Sequence, residues 1–102
     1  MAHYRSDYGT VPGTLYVEVG RSPTGDLTIS GQHLWSGGEY EYAITVRLAE
    51  LPALVAACGG EPGGDPWALV TQQLDALVGQ GEQTWLQEHG IESTLWTHAD
   101  YD

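Results

Sequence analysis

The sequence predicts an α+β fold: a mostly antiparallel four-stranded sheet with helices packed on one face, in the order β-β-β-α-α-α-β. Three observations carry this expectation. Apolar and polar residues alternate with period two in three runs before residue 47, as a half-buried strand requires. From Leu51 onward the apolar spacing changes to three and four, the period of a helix face. Clusters of Gly and Pro separate the runs where the chain has to turn.

The organising stretch is Glu39–Val46. Tyr40, Tyr42, Ile44 and Val46 fall on one side, and Glu39, Glu41, Ala43 and Thr45 on the other. Aromatic and β-branched residues suit a pleated surface, and the apolar side is expected to lie under helices. The preceding runs read as a hairpin. Thr14–Val19 sends Leu15, Val17 and Val19 inward against Thr14, Tyr16 and Glu18. Leu27–Gln32 sends Leu27 and Ile29 inward, and Ser22-Pro23-Thr24-Gly25-Asp26 turns between the two. Residues 33–38 are expected to form the next turn. Residues 1–12 read as a loose N-terminal arm.

In the second half, Leu51, Leu54, Val55 and Cys58 share a helix face, with Pro52 in the first turn and Gly59-Gly60 as the stop. Asp65 is an N-cap with Pro66 at N1, opening a second helix whose stripe is Val70, Leu74, Leu77 and Val78. A short third helix spans about 82–89, with Trp85 and Leu86 inward, Gly90 at C′ and Ile91 supplying the contact beyond the cap. Residues 92–98 alternate again as a fourth strand, followed by a tail at 99–102. The expected core is Leu15, Val17, Leu27, Ile29, Tyr42, Ile44, Leu54, Val55, Val70, Leu74, Leu77, Trp85 and Leu86. At 102 residues the chain is expected to be a single domain.

Charge is the strongest compositional signal. Fourteen acidic residues stand against three Arg and no Lys, for a net charge of −11. Such a field disfavours nucleic acid and anionic lipid, whose phosphates call for Lys and Arg, and favours a cationic partner. Without Lys, Schiff-base chemistry is excluded. The opening residues lack the apolar stretch of an export signal and no apolar run reaches membrane-spanning length, so a cytoplasmic location is expected. The single cysteine, Cys58, rules out an internal disulfide. Lying in an apolar run at a helix C-terminus, it reads as a small buried hydrophobe rather than a nucleophile.

Catalytic signals are sparse. His3, His33, His89 and His98 form no close ligand pair on one element, and His98-Ala99-Asp100 lacks supporting partners, so no metal and no cofactor is expected. Glu39 and Glu41 are spaced as glycosidase carboxylates can be, but a flat strand face offers no cleft, and they read as a solvated acidic face. Trp35, in the predicted turn, is placed beside that face as an interface anchor.

Gly38-Glu39-Tyr40-Glu41-Tyr42, the run Leu51–Gly60 and Trp85-Leu86-Gln87-Glu88-His89-Gly90-Ile91 together resemble small uncharacterised actinobacterial proteins, over about residues 14–98. Small acidic proteins of that kind are in turn similar to immunity proteins of bacterial toxin systems, a resemblance that implies toxin inhibition and brings no catalytic residues. The functional expectation is therefore an acidic protein-binding domain, in its most concrete form an immunity-type inhibitor that docks on a basic toxin or another cationic protein through Tyr16, Glu18, Trp35, Glu39 and Glu41. The alternative is a small-molecule or metal-dependent enzyme using His33 or His98 with nearby carboxylates.

Overall fold

The computed structural model describes residues 2–8 and 11–101, with side chains described for 13–99. It shows a five-stranded antiparallel sheet in sequential order, β1 (Ala2–Tyr8), β2 (Val11–Arg21), β3 (Leu27–Trp35), β4 (Gly38–Val46) and β5 (Thr94–Tyr101). Four short helices, α1 (Leu51–Ala57), α2 (Pro66–Gln72), α3 (Leu74–Gln80) and α4 (Glu82–Glu88), form a layer between β4 and β5 in the chain. The α+β class and all four predicted strands are present. No helix among the described residues is long and apolar enough to cross a membrane.

Three expectations are corrected. The segment read as a loose arm contributes β1, paired from Ala2↔Val17 to Tyr8↔Val11. Edge pairing satisfies backbone groups along β2 and needs no apolar stripe, so the periodicity of residues 2–8 carries no sign of it. The segment read as a C-terminal tail continues β5 through Tyr101, which pairs with Gly38. Finally, the turn expected over residues 33–38 contracts to Ser36-Gly37, because Trp35 and Gly38 are still directly opposite each other. His33 and Trp35 thus remain strand residues, on the same face as Leu27 and Ile29.

The helical half follows its caps. Asp65 accepts from the backbone N–H of Trp67 at 2.9 Å and of Ala68 at 3.3 Å. Gly90 adopts φ +72, and the Ile91 N–H donates to the Leu86 carbonyl at 2.9 Å while the Ile91 side chain is buried. The second predicted helix is divided in two at Gln73, whose φ of −105 and ψ of 14 leave the helical region. The Gln73 side-chain amide donates to the Cys58 carbonyl, a group left unpaired at the end of α1. That long-range bond gives the break a physical cause.

The core lies between this layer and one end of the sheet. Val17, Leu27, Ile29, Ile44 and Val46 meet Leu54, Val70, Leu77 and Leu86, all almost wholly buried. Every predicted core residue is buried except Tyr42, which is half-buried and packed against the cluster. Seven-residue helices reach about 10 Å, whereas strands of nine to eleven residues reach about 30 Å. The molecule is accordingly elongated, 45 × 25 × 22 Å, and the sheet outruns its helices. Leu77→Ala, at a fully buried position of α3, is expected to cost about 2–5 kcal/mol in urea unfolding; a loss below about 0.5 kcal/mol would place that helix face outside the core.

Candidate functional site

The register sorts the candidate residues onto two faces. On the outer face Tyr16, Gln32, Glu41 and His98 form one transverse row, and Glu18, Ser30, Ala43 and Trp96 form the next. A shallow depression of about 280 Å³ gathers Tyr16, Glu18, Gln32, Glu41 and Trp96. The Gln32 side-chain amide donates to both Glu39, at 3.1 Å, and Glu41, at 3.2 Å, so one neutral group bridges two like charges. Trp96 is 55% exposed, and its ring is nearly parallel to that of His98 at 6.2 Å.

Four of the five predicted binding residues, Tyr16, Glu18, Glu39 and Glu41, are therefore on the outer face. Trp35 is not. It points to the inner face, with its ring 4.9 Å from that of His33. The two-residue turn preserves strand alternation as far as residue 35, and alternation sends it inward. The tryptophan on the outer face is Trp96, legible in the alternation of the last strand but not distinguishable there from a core residue. The two arginines with described side chains lie elsewhere: Arg21 over the Trp67 ring at 3.8 Å, and Arg47 paired with Glu92 at 3.0 Å.

The uncovered end of the inner face carries a second site. A cavity of about 610 Å³ is walled by Leu15, Ile44 and Leu95, by the rings of His33, Trp35, Tyr40 and Tyr42, and by Glu82, Gln83 and Thr84 at the start of α4. Its anchor is the hydrogen bond from the Tyr42 hydroxyl to Glu82 Oε1, which ties the sheet to the helical layer. Glu82 is only 9% exposed, a rare state for a carboxylate without a partner. Gly31 makes the bond possible. It faces Tyr42 across the strands, and a Cβ there would fall 2.2 Å from the phenol ring. The ring lies over the bare backbone of β3, which aims its hydroxyl at α4.

His33 is 6% exposed, and burial lowers its pKa from the ordinary 6.5. At neutral pH it is an uncharged ring in the cavity wall. His98 is on the opposite face, so the two histidines named for an enzymatic site do not converge. Burial pushes the Cys58 thiol up, and it lies in the core. No group of three His, Cys, Asp or Glu is placed to hold a metal ion among the described residues. The side chains of His3 and Asp100 lie outside the described ones. No family model, curated protein or solved structure matches the chain.

Two outcomes are expected. Gly31→Ala forces Tyr42 off β3 and should cost about 1–3 kcal/mol, the range for overpacking; urea unfolding indistinguishable from wild type would mean the ring has free room. Because the folded-state pKa of His33 lies below its unfolded value of 6.5, the unfolded chain binds more protons in that window. The contribution of His33 is complete above pH 6.5 and is lost as pH falls toward its lowered folded value. His33→Gln should therefore flatten the acid side of the stability profile between neutrality and the onset of carboxylate titration. A profile parallel to wild type would show that His33 does not titrate on unfolding.

Proposed function

We propose that the protein is a binding domain that docks on a cationic protein through the outer face of its sheet. The observation that carries this reading is the shared Gln32 amide. It holds Glu39 and Glu41 together on a face that also presents Glu18, Tyr16 and a Trp more than half exposed. Like charges kept this close repel at low salt, and a basic surface relieves that repulsion. The net charge of −11 accelerates encounter with such a surface, while Trp96 and Tyr16 supply ring area that can be desolvated at low entropic cost. In its most concrete form the partner is a basic toxin and the protein an immunity-type inhibitor.

The test uses the wild-type protein and a Glu39→Gln/Glu41→Gln variant as baits in extracts of the source cell, followed by stopped-flow association with the basic protein recovered. The variant is expected to fold with unchanged or slightly higher stability. It should associate several-fold more slowly at low salt, with the difference shrinking as salt rises. Equal association rates at both ionic strengths would reduce the acidic face to solvated surface.

A further inference from the structure

The inner-face cavity is separate from the proposed protein-binding face and has its own chemistry. Its volume of about 610 Å³ falls in the range of small-molecule sites. Three aromatic side chains, Trp35, Tyr40 and Tyr42, line it, with the two tyrosine rings 6.2 Å apart and tilted by 35°. Each is half-buried, so the helical layer leaves ring surface open toward the cavity. Among the described residues, the lining includes one carboxylate, Glu82, and no Lys or Arg. A hydroxyl from Tyr42 reaches one oxygen of that carboxylate, and His33 in the same wall is held in its neutral form at physiological pH.

These features favour one kind of occupant. Ring faces carry negative potential and attract cations, most strongly where water is displaced. A poorly hydrated carboxylate attracts a cation for the same reason, and a single hydroxyl donor is less compensation than bulk water gives it. An anionic ligand would meet Glu82 without a counter-charge. A purely aliphatic ligand would use Leu15, Ile44 and Leu95 but leave Glu82 desolvated and underpaired.

We propose that this cavity binds a small organic cation with an apolar body, an alkyl- or arylammonium, whose charged end lies at Glu82 and whose body packs against Trp35, Tyr40 and Tyr42. Here Tyr42 orients the carboxylate and contributes a ring face, Trp35 and Tyr40 form the outer walls, and Leu15, Ile44 and Leu95 receive the apolar body. The whole-molecule charge of −11 adds a long-range attraction of the same sign.

Benzyltrimethylammonium is the probe, with benzyl alcohol and benzoate as neutral and anionic comparators of similar ring size, followed by amide chemical shifts of the full chain. Saturable shifts confined to Tyr40, Tyr42, Glu82–Thr84 and Leu95 are expected for the cation, with much weaker shifts for the alcohol and none for benzoate. Glu82→Gln retains an acceptor for Tyr42 and should weaken cation binding about tenfold, because it removes the carboxylate charge at the cation's end and leaves the ring faces in place. Trp35→Leu should also weaken it, and its folding does not depend on Glu82, so the wall is tested even if Glu82→Gln is unstable. Glu41→Gln, on the opposite face with the same loss of charge, should leave the affinity unchanged. Equal binding of benzyl alcohol, equal weakening by Glu41→Gln, shifts spread over the outer face, or no shifts at millimolar probe would each overturn the assignment.

Discussion

The hydrogen bond from Tyr42 to Glu82, laid over Gly31, is the constraint on which the rest of the arrangement depends. A carboxylate removed from water is costly unless something donates to it, and a tyrosine hydroxyl in a half-apolar setting needs an acceptor. Each satisfies the other only if the phenol crosses β3 at backbone height, which requires the side chain at position 31 to be absent. The bond sets where the first turn of α4 meets the sheet. It therefore sets the width of the cavity bounded by Glu82, Gln83 and Thr84 on one side and Trp35 and Tyr40 on the other. Beyond that point the remaining helices close over Val17, Ile29 and Ile44 with ordinary aliphatic packing.

One strand, β4, gives the two faces opposite characters. Its inward residues end in Ile44 and Val46, inside the core, and begin with Tyr40 and Tyr42, in the cavity. Its outward residues Glu39 and Glu41 share the Gln32 amide. Since side chains alternate strictly, a one-residue slip would carry the carboxylates onto the inner face and the tyrosines, Ile44 and Val46 onto the outer one, so the register is strongly specified. Acidic and aromatic character are thereby kept on separate surfaces through a period of two in the sequence.

Much of this is legible in the sequence. The alternation of β2, β3 and β4 assigned inward and outward residues correctly, and Asp65, Gly59 and Gly90 marked helix ends because caps are local chemistry. What the sequence does not show depends on contacts distant along the chain. Gln73 breaks a helix by reaching Cys58, β1 forms by pairing with β2, and Glu82 is buried by Tyr42, forty positions earlier. In the sequence Gly31 is like any strand glycine; only the Tyr42 ring above it sets it apart. Ser36-Gly37-Gly38 suggests a longer turn than the two residues used, which puts Trp35 at the edge of the outer face, whereas it lies in β3 on the inner one. Of the candidate site, the outer carboxylates and Tyr16 could be read from pattern. The cavity could not, because it is formed by a mismatch of lengths rather than by a motif.

That mismatch also accounts for the choice of aromatic residues. Helices of seven residues cannot cover strands of nine or more, so part of the inner face has to stay open. Phenylalanine there would expose a ring with no polar end to place in water. The chain has no Phe, four Trp and six Tyr, so every ring can present one polar atom to solvent or to a partner. Where coverage is complete, at Val17, Leu27, Ile29 and Leu54, the sheet and helices use aliphatic residues instead. The boundary between the aliphatic and aromatic halves of the inner face runs through Ile44 and Tyr42, adjacent inward positions of β4. The closed core and the open cavity thus meet at the residue whose hydroxyl holds α4 in place.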